Sequence, residues 1–232
     1  MPISRRGFLG YAAGVSTAAL TGGSRWPGVL PGNPAKLSGY RLVDSGPGCT
    51  LRESLAGFES ALSRLGVACG RTTFRSLASA RIIILPAAAR LGAAKLAQLR
   101  GHLERGSCVL FESGAGFLDS GEFNFHRRLI KSAFGLGLRP PIGLWDSAYS
   151  FRQSPYVDYR WPLAVKVRDF SRVVPVDCRK GETIAWFGQL PVAARLHVGK
   201  GTLVFLGSPL GPHLLAGDRE ASRWFGAFCP SC

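Results

Sequence analysis

The 232-residue sequence has no apolar run as long as the roughly 18 residues that a membrane-spanning helix needs. Its 30 glycines and 15 prolines follow no G-x-y or longer period, which excludes collagen-like chains and repeat arrays. Hydrophobic residues make up 46% and charged residues 19%, and this balance excludes a disordered polar chain. The composition predicts a globular protein with a substantial core.

Acidic residues are scarce: there are 14, against 29 lysines and arginines, and the formal net charge is +15. A basic surface can bind nucleic acid by releasing counterions from the phosphates. The basic residues are spread along the chain, however, and no helix-turn-helix, zinc-finger or RNP-type motif accompanies them. We therefore predict a basic exported protein with no nucleic-acid partner.

Residues 1–23 have the layout of an export signal. Arg5 and Arg6 precede an apolar, small-residue run over 8–20, the order found in signal peptides. The string SRRGFL at 4–9 resembles the twin-arginine signal. This resemblance implies passage through the twin-arginine export machinery, a periplasmic or other extracytoplasmic location, and no transmembrane anchor after processing. The alternative is a basic arm on a cytoplasmic protein.

Residues 24–39 are rich in proline and glycine and predict a linker, which leaves residues 40–232 for one domain. Periodicity predicts strands at 40–44, 67–69, 81–85, 108–111 and 202–206, a hairpin at 184–187 and 192–198, and helices at 51–65, 91–104, 123–134 and 218–228. Pro86 is expected to end the third strand. Continuously apolar strands are typical of a parallel sheet covered on both faces. We predict an α/β fold: a three-layer, flavodoxin-like, mostly parallel doubly wound sheet with a β-rich insertion at 136–180.

Two stretches resemble the class I glutamine amidotransferase-like superfamily in the order of their units. The first runs from Arg81 through Phe117 and contains ERGSCVLFESGAGF; the second is the tail VGKGTLVFLGSPLG from Val198. The resemblance covers about half of the chain. It implies a flavodoxin-like fold, in a superfamily that also includes non-catalytic members.

The residues that make amidotransferases catalytic are missing. The family places a nucleophilic Cys in a G-x-C-x-G turn, and a His-x-Glu near the C-terminus activates it. Here the corresponding turn, at 112–116, reads ESGAG, and neither His197 nor His213 is followed by Glu at the second position. The sequence therefore favours a pseudoenzyme without cofactor. The alternative is a hydrolase with a rearranged site, formed by Ser113, His213 and Asp218 or by Cys49 at a helix start.

Glycine-rich loops follow the first, the central and the last predicted strand. Loops that leave one edge of a sheet lie close together, and glycine lets backbone N–H groups approach a ligand. We predict that these loops bind an unidentified small ligand or protein partner; the alternative is ordinary turn chemistry. The predicted site residues are Ser45, Gly46, Gly48, Glu112, Ser113, Gly114, Ser208 and Gly211. Bulky substitutions at Gly114 or Gly211 are expected to abolish binding while leaving folding intact.

Two further features leave alternatives open. Residues 145–161 are rich in aromatics and arginine and form either a stacking surface or an insertion packed over the sheet edge. The chain ends in Cys229-Pro230-Ser231-Cys232, and outside the cytoplasm a disulfide within this pair, or from it to Cys178, is plausible. No second C-x-x-C or H-x-x-x-H provides further zinc ligands, so no metal site is predicted.

Overall fold

A sheet of nine strands carries the fold in the computed structural model of the chain. The structure describes residues 39–45, 52–77, 80–114, 120–144, 155–169 and 171–231. The predicted signal at 1–23 and nearly all of the predicted linker lie outside these residues. Everything described belongs to one unit, Pro31–Cys232.

The strands are β1 Tyr40–Val43, β2 Arg71–Thr72, β3 Ile82–Ala88, β4 Cys108–Ser113, β5 Gly137–Leu138, β6 Ile142–Gly143, β7 Tyr156–Tyr159, β8 Val165–Arg168, β9 Arg172–Val173, β10 Val176–Asp177, β11 Glu182–Phe187, β12 Leu190–Val198 and β13 Gly201–Leu206. The helices are α1 Arg52–Arg64, α2 Ala93–Glu104, α3 Ser120–Phe134, α4 Gly211–Leu215 and α5 Arg219–Ser231. The main sheet has the order β2-β1-β3-β4-β13-β12-β11-β7-β8, and two small sheets pair β10 with β5 and β6 with β9.

Helices cover both faces of the main sheet because its strands are apolar on both sides. Strands β3 and β4 are buried at every residue. On one face, alternate strand residues pack against α1, α4 and α5 in a cluster that includes Phe58, Leu214 and Trp224. On the other face, the remaining strand residues pack against α2 and α3, with Leu99 and Ile130 in the core. Among the described residues, no helix is long and apolar enough to cross a membrane.

The predicted mostly parallel, flavodoxin-like sheet is wrong. Strands β2, β1, β3, β4 and β13 are parallel, but of the ten pairings between described strands six are antiparallel. The tight turns at Gly188 and Gly199, both with positive φ, return the chain along the strand it has just left. In addition, β7 and β8 of the predicted insertion extend the main sheet. The result is a mixed sheet, parallel in one half and antiparallel in the other.

Two smaller predictions also fail. The second strand lies at Arg71–Thr72 and not at 67–69. Pro86 does not end β3 but lies inside it, where the register with β4 shifts between Leu85 and Ala88. A bulge of this kind tolerates proline because the local ladder is already interrupted. The next residue, Ala87, has a φ of 36°, which is unusual for a residue other than glycine.

Helices α1 and α4 meet backbone to backbone through two glycines. A Cβ atom on Gly57 would overlap the carbonyl oxygen of Gly211, and one on Gly211 would overlap the backbone of Ser54. A Cβ atom on Gly114 would likewise overlap the carbonyl group of Ala87. The expectation that bulky residues at Gly114 or Gly211 leave folding intact is therefore wrong, because both positions are filled by backbone.

We predict that Gly57→Ala lowers the free energy of unfolding by about 2 kcal/mol or more, since the added methyl group forces α1 away from α4. Urea denaturation followed by circular dichroism measures the change. Gly226→Ala is the matched control: Gly226 lies within α5, and its nearest neighbour to an added Cβ is a side-chain carbon of Leu65 at 3.7 Å. This control should be neutral or stabilising, because alanine favours helix. Equal losses in the two variants would contradict the close-contact explanation.

Candidate functional site

The side chain of Glu112, at the end of β4, joins three segments of backbone. Its Oε2 atom accepts a hydrogen bond of 2.6 Å from the N–H of Ala87. Its Oε1 atom accepts bonds of 2.5 and 2.7 Å from the N–H groups of Leu210 and Gly211. The structure thus brings together Glu112 and Gly211, two of the predicted site residues, and they are hydrogen-bonded directly to each other.

Glu112 is fully buried. Burial raises the pKa of its carboxyl group, and the N–H groups of Gly211, Ala87 and Leu210 together with the Ser54 hydroxyl oppose that rise. Both oxygens are engaged by main-chain donors. The chemistry that this arrangement supports is structural: the carboxylate holds the end of β3 and the start of α4 on the end of β4.

A second buried polar cluster holds the loop after β13. The hydroxyl of Ser208 donates a 2.6 Å hydrogen bond to Oδ2 of Asp169, and Oδ1 of Asp169 accepts bonds from the backbone and the hydroxyl of Ser171. Nearby, burial raises the pKa of Tyr159, and the charges of Asp169 and Glu112 raise it further. Ser208, a predicted ligand residue, therefore connects the loop after β13 to the segment after β8.

The alternative triad is not assembled. Ser113 is two residues from Phe111 and four from Val109 along β4, and these residues face α2 and α3. His213 lies on α4, which covers the opposite face. The carboxylate of Asp218 accepts a 2.8 Å hydrogen bond from the N–H of Ala221 and so caps α5. These positions separate the proposed nucleophile from its proposed base.

The remaining predicted residues are accounted for as follows. Ser45 is 7% exposed, and its carbonyl oxygen accepts a 3.3 Å hydrogen bond from Lys95. Gly46, Gly48 and Cys49 lie outside the described residues. Whether Ser45, Ser113 and Ser208 take part in binding remains a prediction.

The cysteines differ from expectation. Cys178 and Cys229 are free thiols, so neither predicted bridge from Cys229 is formed, and burial raises the pKa of the Cys229 thiol to about 12. Cys108 is disulfide-bonded. Within the described ranges, no group of three or more His, Cys, Asp or Glu side chains is placed to hold a metal ion.

A groove of about 340 Å³ opens where the chain passes from β3 into α2 and crosses the first turns of α3. Its lining residues are Ala89, Arg90, Leu91, Gly92, Glu122, Phe125 and His126. We call it the α2–α3 groove. Gly92, the residue before α2, provides no side-chain cap for that helix.

His126 is the unusual side chain of the α2–α3 groove. It is 3% exposed, its ring lies 6.0 Å from that of Phe111, and its Nε2 atom has no hydrogen-bond partner among the described residues. Burial lowers the pKa of the imidazole to about 4, and a hydrogen bond to the backbone of Ala89 partly opposes this. The ring is therefore neutral near pH 7. With its other nitrogen used by Ala89, Nε2 offers a lone pair to an incoming donor.

Three other side chains complete the groove. Glu122 precedes His126 by one helical turn and so lies on the same face of α3. The Glu122 carboxylate is 3.3 Å from Nε of Arg90, whose side chain is 55% exposed. Phe125 exposes 53% of its surface. The groove thus presents a cationic donor and an aromatic face at its surface, with the Glu122 carboxylate and His126 buried beneath them.

Sequence reasoning missed these residues. It predicted a helix at 123–134, but no motif marks Glu122 and His126, because a four-residue spacing of polar residues is common on helices. Arg90 and Gly92 come from a loop about thirty residues earlier in the chain. The signal that could have found them is the placement of Glu and His on an otherwise apolar helix face, and that pattern alone does not distinguish a ligand site from a packed core.

No family model and no curated protein match this chain. Solved structures do. The β-galactosidase from Rahnella sp. R3 matches with a TM-score of 0.62 and 13% identity, over 83% of this chain and 31% of that one. The exo-β-1,4-mannosidase from Opitutaceae bacterium strain TAV5 gives 0.60 and 13%, over 81% and 35%. A cytoplasmic protein from Salmonella typhimurium LT2 gives 0.60 and 9%, over 83% and 98%.

These comparisons correct the family assignment. Identities of 9–13% establish a likeness of fold alone, and the chain spans about a third of the length of the two glycoside hydrolases. The matched structures include β-galactosidases, a mannosidase and a cytoplasmic protein, and they contradict the predicted membership of the amidotransferase-like superfamily. The predicted function as a non-catalytic amidotransferase-like protein is wrong with it. The twin-arginine signal gains no support from these relatives, and export remains a prediction.

We predict that Glu112→Gln lowers the free energy of unfolding by about 3 kcal/mol, because an amide NH₂ then faces a backbone N–H that has lost its acceptor. Urea denaturation measures the loss. Glu104→Gln is the matched control. It removes an ion pair with Arg100 in which both side chains are about half exposed, and it should change stability by no more than about 0.5 kcal/mol. Similar losses in both variants would refute the role given to Glu112.

The neutral state of His126 predicts a pH dependence of stability. The folded pKa, about 4, lies below the usual 6.5, so as the pH falls the unfolded chain takes up this proton first. The free energy of unfolding should therefore decrease from about pH 7 toward pH 4. His126→Phe should make that decrease shallower, as measured by denaturation at several pH values. His197→Phe, at an exposed position, should retain the wild-type slope; an unchanged slope in His126→Phe would contradict the prediction.

Proposed function

We propose that this protein binds a neutral polyhydroxylated ligand, a sugar or a sugar-like molecule, in the α2–α3 groove. The observation that carries the proposal is the buried Nε2 atom of His126, which lacks a hydrogen-bond partner among the described residues. A buried polar atom without a partner costs free energy. A ligand hydroxyl that reached this buried atom from the groove would supply the missing hydrogen bond and remove this cost.

The protonation state of His126 selects the class of ligand. A neutral imidazole whose other nitrogen donates to Ala89 can only accept at Nε2. The ligand must therefore present a donor, such as the O–H group of a sugar. A fully ionised phosphate or carboxylate has no proton to donate, so its oxygen atoms and Nε2 would face each other as two acceptors and repel.

The other side chains of the groove fit the same class. Glu122 accepts hydrogen bonds from hydroxyl groups, and Arg90 donates to hydroxyl or ring oxygens. The exposed ring of Phe125 provides an apolar surface on which the C–H face of a sugar ring can pack. A concave site with an aromatic wall and a few polar groups is typical of small-molecule binding.

The glycoside hydrolases of similar fold are named for galactosides and mannosides, which agrees with a sugar ligand without identifying one. Hydrolysis of a glycosidic bond normally requires two carboxyl groups across the scissile bond. Among the described residues that line the groove, the carboxyl group comes from Glu122 alone. These residues therefore support binding and do not support hydrolysis.

We expect D-galactose or D-mannose to bind the full chain in titration calorimetry, and Phe125→Ala to weaken that binding about fivefold or more, because the stacking surface is lost. Phe125 is half exposed, so its removal should spare the fold. Leu215→Ala is the matched control, an apolar side chain 44% exposed on α4, and it should bind as the wild type does.

A second variant tests the residue on which the proposal rests. His126→Phe keeps a ring against Phe111 but removes the acceptor, and it should abolish binding while the thermal unfolding transition persists. Wild-type protein that binds inorganic phosphate and no sugar would overturn the proposal. So would a His126→Phe variant that is folded and binds sugar with unchanged affinity.

A further inference from the structure

Strands β7, β8 and β11 present one face to solvent. Side chains alternate along β7 and β8, so that Val157, Tyr159, Val165 and Val167 point into the core shared with α5. The residues between them point the other way. We call this opposite surface the basic aromatic face; its members are Tyr156, Asp158, Arg160, Lys166, Arg168 and Trp186.

The strand register places these side chains side by side. Tyr156 pairs with Arg168, and Asp158 lies between Lys166 on one side and Trp186 on the other. Neighbours across paired strands have Cβ atoms about 5 Å apart, close enough for aromatic and long side chains to touch. The face is therefore a continuous surface assembled from three strands.

Cations and rings on this face are in direct contact. The guanidinium carbon of Arg160 lies 4.4 Å from the ring centroid of Trp186, and that of Arg168 lies 5.6 Å from the ring of Tyr156. Tyr156 is 40% exposed, and Arg160, Lys166 and Arg168 are also exposed. The described residues at this surface include three cations against two carboxylates, Asp158 and, beside Asp158 and Lys166, Glu220 of α5. The surface therefore has an excess of positive charge, in a chain whose net charge is +15.

We propose that the basic aromatic face binds single-stranded nucleic acid. Such sites combine cations that follow the phosphates with aromatic rings on which unpaired bases stack. The solvent face of an antiparallel sheet can serve as a surface of this kind. In a duplex the bases stack on one another, so their faces are not available to aromatic side chains. The expectation of no nucleic-acid partner rested on the absence of a local motif. Here the residues come from three strands, so no contiguous motif exists to be found.

The test uses fluorescence anisotropy of a labelled oligothymidine with the full chain. We expect binding that weakens steeply as the salt concentration rises. In Lys166→Gln the slope of the logarithm of the binding constant against the logarithm of the salt concentration should be smaller in magnitude by about 0.7, the value for one phosphate contact to a single strand. Lys200→Gln removes the same charge from the exposed β12–β13 turn and should retain the wild-type salt dependence.

Stacking is tested separately from charge. Tyr156→Ala should weaken oligothymidine binding about fivefold or more, whereas Leu215→Ala, which removes a similarly exposed apolar side chain from α4, should not. Equal effects of Tyr156→Ala and Leu215→Ala, equal effects of the two lysine variants, or equally tight binding of duplex DNA would overturn the proposal. So would binding of dextran sulfate with the same dependence on Tyr156 and Lys166 when oligothymidine does not bind. Sugar binding at the groove is independent of every one of these results.

Discussion

The carboxylate of Glu112 is the interaction on which the end of the parallel half-sheet depends. It accepts hydrogen bonds from Ala87 near the end of β3 and from Leu210 and Gly211 at the start of α4, while the Gly57–Gly211 contact holds α4 against α1. The bond to Ala87 also secures a backbone conformation that an alanine seldom adopts. Residues 89–92, which line the α2–α3 groove, follow directly. Glu112 therefore helps to position the residues that line the groove, although its own side chain is not among them.

Much of the fold could be predicted from the sequence, because burial leaves a clear pattern. Strands β1, β3, β4 and β13 are mostly apolar, and α1, α2, α3 and α5 have helical spacing, so the predicted bounds of each lie within a few residues of the observed ones. Pairing direction was not predictable in the same way. Whether a strand joins a parallel or an antiparallel neighbour depends on connections and long-range contacts, and β7 and β8 lie in a segment whose membership of the main sheet no local pattern reveals.

The candidate site was less predictable than the fold. Of the predicted glycine-rich loops, the one after β13 meets Glu112 through Leu210 and Gly211. The described glycines there serve close backbone contacts: Gly211 touches Ser54, and Gly114 touches Ala87. A glycine in a sequence indicates a close approach without saying to what. Whether the approaching group is a ligand or the chain itself is decided by tertiary packing, which the sequence pattern does not contain.

The parallel and antiparallel halves of the sheet differ in where polar side chains can lie, because the two kinds of pairing leave different faces covered by helices. Strands of the parallel half are covered on both faces, so polar chemistry is confined to their ends, where loops and helix starts meet and where His126 keeps a buried acceptor. In the antiparallel half, α5 covers one face of β7 and β8, and the other remains in solvent. Rings and cations can therefore line a broad surface there. The Ser208–Asp169 hydrogen bond connects the loop after β13 to the segment after β8, so a buried polar contact joins the two halves of the sheet in addition to their backbone pairing.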